Sequence, residues 1–204
     1  AGRGRFTKAA RITNAGQELT GDSLHYDRTT GEGLGWGNVQ VTDTASDMIV
    51  RGQFGRHLQG EGRSMITGRA ELVLLMGKDS LFLPADTLFA TQDSLHGKHV
   101  LARRNVRFFR SDLQGVCDTM TYSERDSLIV LRGAPFLWSD KDQINGDTVR
   151  LKLRNGHADR LFVNGAAFLI AQADTTHFDQ VTGTTMTGFF HDDRLSRLIA
   201  EGNS

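Results

Sequence analysis

The sequence predicts an all-β fold built as a stacked repeat of about six two-strand units. Two observations predict it. A paired motif recurs at near-constant spacing along the whole chain, and the hydrophobic pattern has period two with almost no period-3.6 signal. The first member of the pair starts at Gly21, Gly52, Ala85, Cys117, Gly146 and Gly183, so successive starts lie 31, 33, 32, 29 and 37 residues apart. The second member starts at Gly37, Gly68, Arg104, Gly133, Gly165 and Gly202, which is 16, 16, 19, 16, 19 and 19 residues after its partner. Random placement of Gly and Asp does not hold both spacings over six units.

Taken in order, residues 1–18 read as a half-unit: one short strand around Phe6 or Ile12 and then a polar turn. The basic residues Arg3, Arg5, Lys8 and Arg11 there are expected to be a solvated terminus, because no acidic partner is visible in the sequence. The first full unit is the stretch Thr20–Val41, TGDSLHYDRTTGEGLGWGNVQV. After each first start the third residue is Leu24, Gly55, Leu88, Met120, Val149 or Met186, apolar in five of the six. Two residues further on come Tyr26, His57, Ala90, Tyr122, Leu151 and Gly188. Between them lie His25, Arg56, Phe89, Thr121, Arg150 and Thr187, polar in all but one. Because side chains alternate across a strand, this gives one inward apolar row and one outward polar row.

The second members are read the same way, with strands beginning at their starts. Two and four residues on come Val39/Val41, Ala70/Leu72, Val106/Phe108, Pro135/Leu137 and Ala167/Leu169, all apolar. The interleaved residues are polar in the early units (Asn38/Gln40, Arg69/Glu71, Asn105/Arg107). They become Ala134/Phe136 and Ala166/Phe168 later, with Trp138 and Ile170 beyond. The later strands are thus apolar on both faces, so their outer face is either covered by chain or left as a patch for a partner. Connections such as RTTGEG, RNGH and HDDR carry turn residues, and no linker interrupts the series, so residues 1–204 are read as one domain. A unit of about 30 residues cannot bury its own apolar row, and stacking resolves this. A roll, a sandwich-like trough and a β-helix all satisfy these constraints.

Composition removes several function classes. Acidic and basic residues balance at 24 each, which gives no electrostatic case for nucleic acid or an anionic membrane surface. One cysteine excludes an internal disulfide. No run of about 18 apolar residues occurs, so no helix is a candidate to span a membrane. The chain starts at Ala1 without a signal sequence, which fits a mature or trimmed form.

Candidate chemistry is sparse. Of the seven histidines (25, 57, 96, 99, 157, 177, 191) only His96 and His99 are close, and no ligand pattern completes a zinc site, so they are read as surface residues. The run from Asp140 through Asp142 to Asn145 lacks the acidic spacing and terminal Glu of a calcium loop and reads as a turn. Gly31, Gly33, Gly35 and Gly37 miss the dinucleotide spacing, with no helix following. There is no G-x-S-x-G elbow. Nine Asp-Ser/Thr pairs, among them Asp22/Ser23, Asp86/Thr87, Asp118/Thr119 and Asp147/Thr148, are spread along the chain and fit strand-corner hydrogen bonding better than catalysis. Cys117 occupies a position that is Gly or Ala in the other units, so it is read as a buried, inert thiol. No cooperating carboxylate pair for glycoside cleavage can be nominated. No cofactor or metal is implied.

The units GDSLHYD…GNVQV, RNVRFFRSDLQGVCDTMTYSERDSL and GAPFLWSDKDQINGDTVRLKL resemble the OstA-like (organic solvent tolerance) family, which includes periplasmic lipopolysaccharide-transport proteins of the LptA type. The resemblance runs from about Arg11 to Gly202 and is most specific over 105–153. It implies an antiparallel β-jelly-roll opened like a taco, non-enzymatic, holding lipopolysaccharide or lipid A acyl chains in an apolar trough. It further implies a periplasmic location, with possible outer-membrane association, and end-to-end joining through edge strands to copies of itself or to other jelly-roll transport components. The wall of such a trough would be the inward row: Leu24, Tyr26, Val39, Val41, Leu72, Leu88, Val106, Phe108, Met120, Tyr122, Leu137, Val149, Leu151, Leu169 and Met186. The sixth unit stops at Gly202-Asn203-Ser204, where a second strand is expected to begin, so the native chain is expected to continue. The rival expectation is a scaffold solenoid of the cell envelope whose large side chains Tyr26, Phe108 and Tyr122 fill the core and leave no room for a ligand.

Overall fold

The computed structural model describes residues 3–202 apart from 15, 16, 45, 77, 78, 94–96, 112, 140, 141, 173–176, 192 and 193; at 3, 5–9, 14, 76, 79, 93 and 194 it describes the backbone alone. His96, Asp140 and Asn203-Ser204 of the sequence reading lie outside the described residues. Fifteen strands form one antiparallel sheet. They are β1 (Arg3–Asn14), β2 (Gln17–Asp27), β3 (Glu32–Asp43), β4 (Met48–Leu58), β5 (Arg63–Met76), β6 (Asp79–Asp93), β7 (Gly97–Phe109), β8 (Gln114–Ser123), β9 (Leu128–Arg132), β10 (Phe136–Ser139), β11 (Asp142–Asn145), β12 (Thr148–Arg154), β13 (His157–Gln172), β14 (Phe178–His191) and β15 (Arg194–Glu201). A single 3-10 turn, Gln59–Glu61, joins β4 to β5.

The meander is simpler than that list. β8 pairs with β9 along 119–123 and with β10 along 114–116, while β13 pairs with β12 along 157–164 and with β11 along 168–170. β9 and β10 are therefore one run broken at Gly133–Pro135, and β11 and β12 one run broken at Gly146–Asp147. Counted so, the molecule is the predicted half-unit (β1) followed by six strand pairs. Each run pairs with its neighbours in the chain, which is what short polar turns between alternating segments impose.

The structure corrects one expectation about these units. The starts read from sequence are not strand beginnings but corners in the middle of long strands. Every second run carries two consecutive left-handed residues, Gly37-Asn38, Gly68-Arg69, Arg104-Asn105, Gly133-Ala134 and Gly165-Ala166, with Gly202 opening the sixth. Each such pair adds one residue against the neighbouring strand. Val39 pairs with Gly52 and Trp36 with Phe54, so two residues of β3 oppose one of β4. A bulge of this kind bends the strand. The intervening runs place their small residue, Gly21, Gly52, Ala85, Cys117, Gly146 or Gly183, buried beneath the bend. Space is the reason: a Cβ on Gly52 would come within 2.5 Å of Ile66 Cγ2, and one on Gly146 within 2.5 Å of Val163 Cγ1.

The corners divide the sheet into two layers. Layer I comprises the arms at 3–7, 23–27, 32–36, 54–58, 63–67, 87–93, 97–103, 119–123, 128–132, 148–154, 157–164, 185–191 and 194–201. Layer II comprises the other arms, 10–14 through 178–183. The layers face each other. Ile66, Leu88, Ala102, Leu131, Val149 and Val163 of layer I share one buried cluster with Leu72, Leu83, Val106, Leu137 and Leu169 of layer II. At the other side Lys98 Nζ of layer I lies 3.6 Å from Met48 Sδ of layer II.

Outer edges remain. β1 pairs on one side only, and the 178–183 arm of β14 pairs only with β13 because β15 extends along 185–191. Arg11 of β1 does find an acid, with Nη2 2.5 Å from Glu18 Oε2, so this basic residue is not the unpartnered group the sequence implied. Among the described residues no helix is long and apolar enough to cross a membrane.

Candidate functional site

The space between the layers is the one place where the repeat gathers like side chains from every unit. Its lining follows from the alternation and from the bend. In the bulged runs the inward phase is kept across the corner (Gly35, then Val39), whereas in the others it shifts (Leu19 and Gly21, then Leu24). Of the fifteen residues expected to line it, Leu24, Val39, Leu72, Leu88, Val106, Phe108, Leu137, Val149, Leu169 and Met186 are buried, while Tyr26, Val41, Met120, Tyr122 and Leu151 are half-buried.

The split follows position along the strand except at Met120, half-buried where Leu24 and Val149 are buried, and at Val41, half-buried where Leu72, Phe108, Leu137 and Leu169 are buried. Beside the corners, Leu24 and Val149 are 1% and 0% exposed; two residues nearer the strand ends, Tyr26 and Leu151 are half-buried. The same step occurs from Val39 to Val41, Leu72 to Leu74, Leu83 to Leu81, and Leu131 to Ile129. The interior is therefore a wedge, dry and tightly packed at the corners and opening toward the hairpin tips of both layers. At the corner the packing is close: a Cβ on Gly35 or Gly55 of layer I would lie 3.1 Å from a methyl of Val39 in layer II.

The sequence reading found only one arm of each strand. Stepping back two residues from each first start gives Leu19, Val50, Leu83, Gly115, Ile144 and Val181. Stepping back two from each second start gives Gly35, Ile66, Ala102, Leu131, Val163 and Ala200. Leu83, Ile66, Ala102, Leu131 and Val163 are all in the buried cluster, and Val50, Ile144 and Val181 pack against it. The signal was present on both sides of the starts; reading the starts as strand beginnings hid half of it.

Polar groups stay at the corners and rims. Asn38 Nδ2 donates to Asp22 Oδ2 at 3.2 Å, and Asn105 Nδ2 to Asp86 Oδ1 at 3.0 Å, so the Asp after the small residue clasps the bulge opposite it. The Asp147 backbone N–H reaches Asn164 O and Gly165 O in the equivalent place. These carboxylates serve the corner hydrogen bonding expected of the Asp-Ser/Thr pairs. At the rim of layer I the Tyr26 hydroxyl donates to Gln59 Oε1 at 2.7 Å. Buried Asp43 accepts from Gln17 Nε2 at 2.9 Å and from the Ser46 N–H at 3.1 Å, closing a hairpin tip. Burial, helped by the neighbouring Asp118 carboxylate, pushes the Cys117 thiol up to about 12 against a lowering contact from Thr119. Burial and then Glu124 raise the Tyr122 phenol as well. His25 is half-buried, and His57, His99, His157, His177 and His191 are exposed.

The outer faces differ. Layer I carries paired ions and cation–aromatic contacts: Arg56 with Glu32, Arg150 over Phe162 at 5.4 Å, and Arg160 and Arg197 flanking Phe189. It also has a shallow depression of about 270 Å³ around Phe89, Leu101, His99 and Arg103. Layer II has ion pairs too, Arg51 with Glu71 and Arg11 with Glu18, but it carries most of the exposed large apolar side chains, Trp36 being the one on layer I among the described residues. Leu75, Phe109, Trp138 and Phe178 are exposed on layer II, with Phe136 and Trp138 stacked at 6.0 Å. In the later strands Trp138 is exposed while Phe136, Phe168 and Ile170 are half-buried, and Ala134 and Ala166 are corner residues, not part of that face.

No family model matches the sequence, and no curated protein sequence matches it. Among solved structures the chain is similar to LptH of Pseudomonas aeruginosa, described as the LptA-homologous periplasmic component of the conserved lipopolysaccharide transport device. The identity is 13%, the match covers 69% of this chain and 97% of that one, and the TM-score is 0.49.

Proposed function

We propose that this protein is a non-enzymatic carrier for the acyl chains of a lipid, with lipopolysaccharide in the periplasm as the ligand and setting that the repeat resemblance supports. One observation carries the reading: two facing apolar walls, drawn from every repeat, that are dry at the corners and become half-exposed toward the tips. An acyl chain needs a dry concave surface and no reactive group, and each methylene it buries contributes about 0.8 kcal/mol. The half-buried rows, Val41, Val50, Leu74 and Leu81 on one side and Tyr26, Met120, Tyr122, Ile129 and Leu151 on the other, are the contact surface in this reading. The single-sided edges of β1 and of the 178–183 arm are where copies, or related domains, would join by strand addition.

A second reading, the filled-core scaffold, has an observation of its own. Ala102, Val149 and Val163 are 0% exposed, so the corner third of the wedge has no room for a chain. The two readings differ at the mouth. A photocrosslinking residue at Val41, Met120 or Leu151 is expected to capture lipid from envelope extracts, and one at outward Arg56 or Arg150 is not. Equal capture at inward and outward sites, or none at either, would leave the scaffold reading standing.

A further inference from the structure

We propose that Lys98 is an anchoring cation at the mouth of the wedge, binding the phosphate or carboxylate of an anionic amphiphile whose chain lies between the layers. The proposal rests on the carrier reading above and adds the charge of the ligand and the residue that meets it.

Lys98 stands in β7 two residues before Val100 and four before Ala102, which is 0% exposed and belongs to the buried cluster. It therefore shares their inward face, at the rim. Its side chain is half-buried and runs across the mouth, where Nζ ends 3.6 Å from Met48 Sδ of the opposite layer. A thioether is a weak acceptor, so this contact uses little of the ammonium's donor capacity. Asp43, the buried cross-strand partner of Met48, is taken up by Gln17 Nε2 and the Ser46 N–H, and Glu124 is not paired with Nζ either. Its Oε2 accepts the Lys98 backbone N–H at 2.8 Å, and Lys98 forms none of the molecule's described ion pairs. Asp159, which stands where Lys98 does but in the fifth unit, lies among arginines, 3.3 Å from Arg154 Nη2 and 3.7 Å from Arg160 Nε. The remaining residues six before a second start are Gly31, Gly62, Ser127 and Ser196, so the repeat does not require a lysine here.

A half-buried ammonium keeps water on its open side, and an anion there exchanges that water for a charge-assisted hydrogen bond. An amphiphile with its chain against Met48, Val50, Val100 and Ala102 brings its head to this point, and a lysine Nζ holds an anionic oxygen at about 2.8 Å. A hydrogen bond to a charged group is worth roughly a tenfold or greater change in affinity.

The test is calorimetric titration of the purified chain with three amphiphiles of one acyl length below their micelle concentrations: a lysophosphatidic acid, the free fatty acid and the neutral monoacylglycerol. The wild-type protein is expected to bind at least one anionic form about tenfold or more tightly than the neutral one, and which form leads tells phosphate from carboxylate. Lys98→Gln should bring that ratio to about one with neutral binding unchanged, and Lys98→Arg should restore it. If Lys98→Gln binds all three as the wild type does, the anchor is wrong and the trough stands. If none binds to the wild type, the carrier reading falls and the anchor with it. Melting curves of the variants, expected to match the wild type, exclude misfolding as the cause.

Discussion

Cys117 shows how much one position in the repeat is constrained and how much is left free. It sits where five other units have Gly or Ala, beneath a corner, with a thiol raised from the ordinary 9.0 to about 12 by burial first and by Asp118 second. A thiol whose folded pKa lies above its unfolded one contributes stability that is whole below about pH 9 and is lost as pH rises toward 12. Urea unfolding midpoints should therefore fall between pH 8 and 10.5, and more steeply for the wild type than for Cys117→Ala. A residual slope from Tyr122, whose phenol is raised in the same sense, remains in both. Alanine fits because Ala85 already occupies the same place. Identical slopes in the two proteins would show that the thiol does not ionise on unfolding. The inertness of Cys117 was legible from the alignment of units alone; the carboxylate beside it was legible too, but not its effect, which depends on how deeply the corner is buried.

The corner is the element on which the fold turns, and it is also where sequence reading went astray. Gly37-Asn38 and its relatives look like turn residues between two strands, because period-two alternation continues on either side of them. What the alternation does not reveal is that hydrogen bonding resumes to the same neighbours past the bulge, as Trp36–Phe54 and Val39–Gly52 do. Spacing thus identified every corner and every strand pair but assigned the inward rows to half their length. The corner also makes an energetic prediction of two signs. Gly165 has φ +73°, and a Cβ there would lie 2.9 Å from Asp147 Cβ, while Arg104 adopts φ +62° with a side chain in place. A left-handed non-glycine residue costs roughly 1–2 kcal/mol, so Gly165→Ala should lower Tm by roughly 3–6 °C. Arg104→Gly should raise it slightly, the relief being partly offset by the entropy of an added glycine. A calorimetric scan in which both variants melt lower would mean the Arg104 side chain contributes more than its backbone strain takes away.

At the scale of the molecule the stack is not uniform. From Ile66 onward the inward residues form one buried cluster spanning both layers, but Leu24 and Val39, though 1% and 2% exposed, are outside it. Toward layer I and the corner the inward positions of β3 and β4 include Gly33, Gly35, Gly52 and Gly55, which bring no side chain to the interior, whereas their layer II arms carry Val39, Val41, Met48 and Val50. A stack in which each run pairs chiefly with its neighbours is quasi-one-dimensional, and its ends can open separately when one interface is weak. The layer I part of the β3–β4 interface is such a place, and only β2 separates β3 from the edge strand β1. The two tryptophans report on the two sides of it: Trp36 in β3, against Phe54 at 5.8 Å, and Trp138 in β10, against Phe136. In urea, the protein carrying Trp138→Phe, which keeps Trp36, is expected to lose its native fluorescence at a lower midpoint than the protein carrying Trp36→Phe. Coincident midpoints, with equal slopes, would show instead that the contacts of Val41, Met48 and Val50 with the main cluster are enough to bind the first strands into one cooperative block. The order of opening also matters for the carrier reading. Met48 and Val50 line the mouth beside Lys98, so an end that loosens first separates the two layers where a lipid chain must enter, while the packed corner behind it stays closed.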